Sequence, residues 1–89
     1  MNAETTKVQR AFRRAGFYPE HWGGGSYVFR RDLADGTCEI VTDLDGTDLP
    51  VRWSETVVIG TYRDDAGELE EVEEPYEWGT ARDYLARLI

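Results

Sequence analysis

The chain of 89 residues is long enough for one domain, and its 40% hydrophobic and 12% aromatic residues exclude a disordered chain. It contains neither an apolar run of the about 18 residues that span a bilayer nor a charged start followed by an apolar signal segment. A single cysteine, Cys38, excludes an internal disulfide and fits a reducing compartment, so we expect a cytoplasmic protein.

The net charge of −8 is unevenly distributed along the chain. Residues 1–31 carry six bases and two acids, a sum of +4, whereas residues 32–89 carry four bases and sixteen acids, a sum of −12. Nucleic acids and anionic membranes repel an acidic protein, which predicts a basic protein surface as the partner. The basic first third is the exception, and its bases are Lys7, Arg10, Arg13, Arg14, Arg30 and Arg31.

An apolar stripe near the N-terminus predicts a first helix. Its members, at i, i+3, i+4 and i+7, are Val8, Ala11, Phe12 and Ala15. The helix is predicted to begin near Asn2 or Thr5 and to end at Gly16, after which Phe17 folds back on Phe12. Arginines in its last two turns favour the helix dipole, and the alternative is a face that contacts phosphates.

Residues 17–26 (FYPEHWGGGS) are predicted to form a loop with a three-glycine hinge. The loop lacks the GK[ST] ending and the G-x-G-x-x-G spacing of phosphate-binding loops. His21 is the only histidine, which excludes a pair of histidine metal ligands. Tyr18 and Trp22 are predicted to cap the core, and the alternative is that they are exposed contact residues.

From Tyr27 onward the sequence predicts strands separated by turns. Tyr27 to Asp32 and Cys38 to Thr42 form a predicted hairpin, with a glycine bulge that places Arg31 opposite Glu39 instead of placing two acids opposite each other. Val51 to Trp53 is a short possible strand. Val57 to Arg63 is rich in β-branched residues, which predicts a central strand.

The C-terminal third is predicted to hold a turn, an acidic strand and a second helix. Asp64 to Gly67 suits a type I turn. Leu69 and Val72 break strict alternation, so Leu69 to Glu74 is either a strand with a bulge at Glu70 or Glu71 or one turn of helix, and Pro75 favours the strand. Thr80 is the predicted N-cap of the helix. Its predicted buried stripe is Ala81, Tyr84, Leu85 and Leu88. The result is one α+β domain over residues 1–89, an antiparallel four- to five-stranded sheet with both helices on one face, in the order α-β-β-(β)-β-β-α.

Residues 40–47 (IVTDLDGT) resemble the first motif of haloacid-dehalogenase-type phosphatases, a hydrophobic strand followed by D-x-D-G-T. The resemblance implies a magnesium-dependent enzyme with a parallel sheet, in which Asp43 is the nucleophile and Asp45 the general acid/base. That family also has a later lysine, whereas the only lysine here, Lys7, precedes the motif. The chain is too short for repeated βαβ units, and Asp-Gly is also a hairpin-turn signal. We therefore expect no enzymatic activity, no catalytic residue and no metal or cofactor site.

The densest feature of the sequence is the acidic stretch from Asp64 to Glu77, with eight carboxylates in fourteen positions. Four of them lie between Glu70 and Glu74, roughly 13 Å of extended strand at about 3.3 Å per residue, which approaches the about 3.4 Å charge spacing of one DNA strand. The alternative interpretation is a solvated edge strand that its charge protects from aggregation.

The sequence thus predicts a small non-enzymatic binding module that docks a carboxylate strip on a basic, nucleic-acid-binding surface of another protein. In size and composition alone it is similar to phage or mobile-element inhibitors of host enzymes, including anti-CRISPR proteins. Tyr76 and Trp78 are the predicted desolvated anchors. The predicted partner-binding residues are Asp64, Asp65, Glu68, Glu70, Glu71, Glu73, Glu74, Tyr76, Glu77 and Trp78.

Two alternatives belong to other functional classes. The first is direct nucleic-acid binding through the six bases of residues 1–31. The second is a structural or oligomeric accessory subunit that associates through sheet edges or the aromatic loop. A gel shift at low salt tests the first alternative, and sedimentation tests the second.

Overall fold

The computed structural model describes residues 2–88, which form a five-stranded antiparallel sheet between an N-terminal and a C-terminal helix. The elements are α1 (Ala3–Arg14), β1 (Tyr18–His21), β2 (Tyr27–Asp32), β3 (Thr37–Thr42), β4 (Thr56–Asp65), β5 (Glu68–Thr80) and α2 (Ala81–Arg87). The strands lie in the sheet in the order β1-β2-β3-β4-β5. The predicted α+β class is therefore confirmed.

Helix α1 begins and ends as the sequence predicts. The Asn2 side chain accepts a hydrogen bond from the Thr5 amide at 2.8 Å, and Gly16 follows the helix with a φ of +100°. The Phe17 amide donates to the Phe12 carbonyl at 3.0 Å, and the two rings lie 5.5 Å apart. This return places Phe17 in the core.

The fifth strand is not where the sequence places it. Tyr18–His21, predicted to be part of a loop, is strand β1 and pairs with β2, so that Tyr18 and Trp22 are exposed instead of capping the core. Val51–Trp53 forms no strand. Its backbone is bound by α1 instead, because Thr5 donates to the Val51 carbonyl and Glu4 accepts from the Trp53 amide.

The main core lies between the helices and one side of the sheet. Phe12 is fully buried and stacks on Phe29 at 4.8 Å, with Tyr84 at 6.4 Å. The buried residues of this core are Val8, Phe12, Phe17, Phe29, Val41, Val57, Ile59, Ala81, Tyr84 and Leu85. A smaller cluster of Val28, Cys38 and Ile40 lies on the opposite side, which no helix covers. We call these two sides the helix side and the open side.

The β2–β3 hairpin has the register that charge pairing predicts. Arg31 lies opposite Glu39, and Phe29 lies opposite Val41. The Arg31 guanidinium also forms an ion pair with Glu39. The Tyr84 hydroxyl donates to the same carboxylate at 3.3 Å, which links the hairpin to α2.

Strand β5 is longer than its partner. It has 13 residues against 10 in β4, and three register shifts each add one residue to β5. One added residue is Val72, next to the predicted position of the bulge at Glu70 or Glu71. The strand also continues past Pro75 to Thr80, beyond its predicted end at Glu74, because an edge strand tolerates a proline without a backbone donor.

The turn between β4 and β5 differs from the predicted type I turn. Asp65 pairs with Glu68 across a two-residue loop, in which Ala66 has a φ of +56° and Gly67 a φ of +88°. Two positive φ values define a type I′ turn, whose backbone twist matches that of an antiparallel hairpin. Of the described residues, Ala66 is the only one other than glycine with a positive φ.

Replacing Ala66 by Asn is expected to raise the free energy of unfolding by about 0.5 to 1 kcal/mol, because Asn tolerates the left-handed conformation that alanine resists. Urea denaturation monitored by circular dichroism measures the change. Ala34→Asn is the matched control, since Ala34 is exposed and has no positive φ. Equal effects of the two substitutions would contradict the turn assignment.

Candidate protein-binding surface

Most of the acidic stretch, from Glu68 to Glu77, lies at the outer edge of the sheet, because β5 is the last strand and pairs only with β4; Asp64 and Asp65 end β4. Its carboxylate residues are exposed. None of them forms an ion pair within residues 2–88 apart from Asp64. We call the remaining seven the acidic edge: Asp65, Glu68, Glu70, Glu71, Glu73, Glu74 and Glu77.

The acidic edge presents carboxylates to both sides of the sheet and not to one face. Residues paired across neighbouring strands project to the same side, so the register assigns each glutamate. Glu71 and Glu77 lie opposite Tyr62 and Val58, on the open side. On the helix side the paired members are Asp65, Glu68, Glu70 and Glu73. Any partner surface must therefore receive a ridge with charge on both flanks.

Asp64 belongs to an internal network centred on Arg30. The Arg30 side chain is 12% exposed and contacts Glu20 at 3.2 Å, Asp32 at 2.9 Å and Asp64 at 2.8 Å. Because the Asp64 carboxylate is paired with Arg30, its charge is already neutralised within the protein. Its position therefore does not support the predicted role of Asp64 in binding a partner. The network joins β1, β2 and β4 across the open side.

Aromatic side chains close both ends of the Arg30 network. Tyr18 donates to Asp32 at 2.7 Å, and the Trp22 indole donates to Glu20 at 2.8 Å. Partial burial and the bond to Asp32 raise the pKa of Tyr18 to about 12. The hydrogen bond from Tyr18 and the Arg30 guanidinium lower the pKa of Asp32. The directions of the two pKa shifts show that these contacts favour a neutral Tyr18 and an ionised Asp32.

The two predicted aromatic anchors differ in their surroundings. Tyr76 is 45% exposed beside the acidic edge. Trp78 is half-buried, packs edge-on against Tyr84 with ring centroids 5.4 Å apart, and lies under the Arg87 guanidinium at 5.6 Å. Trp78 therefore serves mainly to dock α2, whereas Tyr76 is accessible to a partner.

Beside the acidic edge, the open side contains a shallow apolar depression that the sequence does not predict. We call it the open-face groove; its lining residues are Trp22, Val28, Ile40, Thr42, Gly46, Val58, Gly60, Tyr62 and Pro75, and its volume is about 110 Å³. The Tyr62 ring lies over Gly60, where an added Cβ would come within 2.8 Å of a ring carbon. These residues are far apart in the chain and come together only through the pairing of the strands, so no local motif predicts the groove.

The six bases of the first third do not form one patch. Lys7, Arg10, Arg13 and Arg14 are exposed on α1. Arg30 and Arg31 are half-buried in ion pairs, on opposite sides of the sheet. If the protein binds nucleic acid directly, which is the predicted alternative, only the four bases of α1 among these six are placed to contact it.

The Asp43–Asp48 segment is a turn in an antiparallel sheet. The Asp43 side chain accepts hydrogen bonds from the amides of Thr47 at 3.1 Å and Asp48 at 3.3 Å. This bonding closes the turn, and the parallel sheet that the phosphatase resemblance implies is absent from residues 2–88. Asp45 is exposed.

Within residues 2–88, no three His, Cys, Asp or Glu side chains converge as they would around a metal ion. The described helices are too short or too polar to cross a membrane. Comparison with models of protein families, with curated proteins and with solved structures found no match to this chain.

Proposed function

We propose that the protein is a non-enzymatic acidic binding module whose acidic edge docks on a basic surface of a partner protein. The supporting observation is that seven exposed carboxylates without a paired base line one edge of a rigid sheet. Carboxylates without a paired base repel one another and so destabilise the folded protein. Protection of an edge strand from aggregation requires fewer charges than these and commonly uses lysine. No lysine lies in β5.

The geometry suits a partner groove that normally holds nucleic acid. Six glutamates lie between Glu68 and Glu77, roughly 30 Å of strand at about 3.3 Å per residue, or about one charge per 5 Å. A strand of duplex DNA carries about one charge per 3.4 Å. A cationic groove built for phosphates would therefore meet a comparable density of negative charge, on a protein that cannot be cleaved or read as nucleic acid.

A protein that occupies such a groove excludes its nucleic acid. This is the action expected of an inhibitor from a phage or mobile element, such as an anti-CRISPR protein, and that role is the most specific form of the proposal. Electrostatic steering would accelerate the encounter, and affinity would fall steeply with salt. Tyr76, exposed beside the glutamates, is the proposed aromatic anchor.

The test is a pull-down from the native host with salt elution, using the wild type and a variant with Glu70, Glu71, Glu73 and Glu74 changed to Gln. Loss of four charge contacts is expected to lower affinity for the captured protein at least about 100-fold at low salt and to flatten its salt dependence. The partner retained by the wild type should also bind duplex DNA, and the wild type should displace that DNA.

A matched control variant carries the same change in net charge at exposed positions away from β5: Ala34→Lys, Thr47→Lys, Ser54→Lys and Ala86→Lys. It should retain the partner within about fivefold, because charge location and not total charge governs docking. Equal losses in both variants, or capture that is unchanged by the Gln substitutions, would reject the proposal.

A further inference from the structure

We propose that the open-face groove receives an arginine side chain of the basic partner, and that it is the specific anchor point beside the acidic edge. This inference rests on the proposed function and adds a subsite to it. The groove adjoins β5 directly, since Pro75 of that strand forms one wall. A partner seated on the edge would therefore reach the groove without moving.

The groove is large enough to receive a single side chain. Its volume of about 110 Å³ is far below the about 300 to 1,000 Å³ of small-molecule sites. Its floor is formed by Val28, Ile40, Val58 and Gly60. Such a floor suits the methylene stem of a long side chain whose charged end stays near solvent.

The aromatic walls are held in place before any partner arrives. The Trp22 indole donates to Glu20 at 2.8 Å, and the Trp22 amide donates to the Ser26 carbonyl at 2.9 Å. Tyr62 packs edge-on against Trp22 with centroids 5.8 Å apart and lies over Gly60. Both rings are thus fixed before binding, which lowers the conformational cost of receiving a guanidinium.

The charge around the groove favours a cation. Within the paired strands the open side carries five carboxylates and one guanidinium, a net charge of −4; these groups are Glu20, Asp32, Asp64, Glu71, Glu77 and Arg30. Desolvation and the nearby Glu71 raise the pKa of Tyr62, which fits a rim carboxylate close to that ring. Two larger depressions within residues 2–88 have Arg14 and Arg82 in their walls, which disfavours a cationic occupant there.

Arginine fits this site better than lysine. A planar guanidinium stacks on aromatic faces, is more weakly hydrated than an ammonium group, and can bond a carboxylate through two N–H groups. Trp22 and Tyr62 supply the rings, and Glu71 and Glu77 lie opposite groove residues on β4.

Hexa-arginine and hexa-lysine peptides of equal charge are suitable probes, titrated at low salt by calorimetry and by the indole N–H signal of Trp22 in NMR. The wild type should bind hexa-arginine about two- to fivefold tighter than hexa-lysine, the range expected for stacking of a guanidinium on an exposed indole. Trp22→Ala should abolish this preference. Tyr27→Ala removes an equally exposed aromatic on the helix side and should preserve it.

A second comparison does not depend on an aromatic residue. Glu71→Gln with Glu77→Gln neutralises the open-side rim, whereas Glu70→Gln with Glu73→Gln removes the same charge from the helix side of the same strand. The rim pair should weaken hexa-arginine binding at least about threefold more than the helix-side pair.

The outcomes separate the two proposals. If the wild type binds both peptides equally and neither Trp22→Ala nor the choice of glutamate pair matters, the groove has no role, and the acidic edge alone explains binding. If the wild type binds neither peptide, both proposals fail. Concentration-dependent dimers in sedimentation that Trp22→Ala abolishes would instead assign the groove to a second copy of the chain and overturn the assignment to a partner.

Discussion

Phe12→Ala is expected to lower the free energy of unfolding by about 3 to 5 kcal/mol, the range for removing a buried phenylalanine ring. Phe12 is fully buried and its ring contacts the rings of Phe17, Phe29 and Tyr84. Phe17 lies in the α1–β1 connection, Phe29 in β2 and Tyr84 in α2, so the substitution removes contacts to three separate parts of the chain. A domain of this size has a total free energy of unfolding of about 5 to 10 kcal/mol, so the variant should lose about a third of it or more and should unfold at a lower urea concentration.

Urea denaturation at 25 °C, monitored by tryptophan fluorescence and by circular dichroism, measures the loss. Phe12→Leu is the control, and it should cost less than about 1.5 kcal/mol because it preserves most of the buried volume. A cost below about 1 kcal/mol for Phe12→Ala would show that α1 does not pack on the sheet as described.

Arg30→Met is expected to lower the free energy of unfolding by roughly 2 to 3 kcal/mol at neutral pH. The substitution removes three charge-assisted hydrogen bonds and leaves Glu20, Asp32 and Asp64 facing one another without a cation. The loss is smaller than for a fully buried pair because Asp32 and Asp64 are 55% and 38% exposed and can be hydrated. Arg63→Met, at an exposed arginine without an ion pair among residues 2–88, should change stability by less than about 0.5 kcal/mol.

The effect of Arg30→Met should depend on pH in a defined direction. The pKa of Asp32 is lowered in the folded protein, so its contribution is present above its unfolded pKa and is lost as the pH falls through the folded value. The difference between wild type and variant should therefore shrink below about pH 4. A double-mutant cycle with Asp64→Asn should give a coupling of about 1 to 2 kcal/mol, and strict additivity would contradict a shared network.

Local patterns account for the parts of the fold that the sequence predicts. The helix ends are set by local contacts, as the sequence predicts. The Asn2 and Thr80 side chains accept hydrogen bonds from amides three residues later, and Gly16 has the positive φ that ends the first helix. The β2–β3 register follows from the charges of Arg31 and Glu39. Each of these signals is complete within a short segment, so one sequence is sufficient to read it.

The errors lie where pairing across the chain decides the structure. Pro19 and the three glycines make residues 17–26 look like a loop, yet an edge strand needs hydrogen bonds on only one side, and β2 supplies them. Val51–Trp53 has strand-like side chains, but α1 binds its backbone. Three register shifts in β5 change the sides on which its residues lie: Glu71 is on the open side, but Glu73 is on the helix side. The sequence predicts only one of these shifts, at Glu70 or Glu71.

The same limit applies to the candidate site. A run of carboxylates is visible in the sequence, its charge is typical of an edge strand, and β5 is an edge strand. That Asp64 is bound by Arg30, on a strand that is not adjacent to β4 in the sheet, depends on how the strands are ordered. The open-face groove likewise depends on strand order, because it brings Trp22, just after β1, near Pro75 of β5.

Strand order in the sheet equals strand order in the chain, and this has a consequence for how the molecule folds. Three of the four connections between strands are short (residues 22–26, 33–36 and 66–67), and the β3–β4 connection, residues 43–55, is longer. Because every strand pairs with its neighbour in the chain, pairing can follow the order of synthesis, which favours rapid folding. The contact between Phe12 and Tyr84 joins opposite ends of the chain and must wait for α2. During translation, the first helix would thus remain incompletely covered until α2 has left the ribosome.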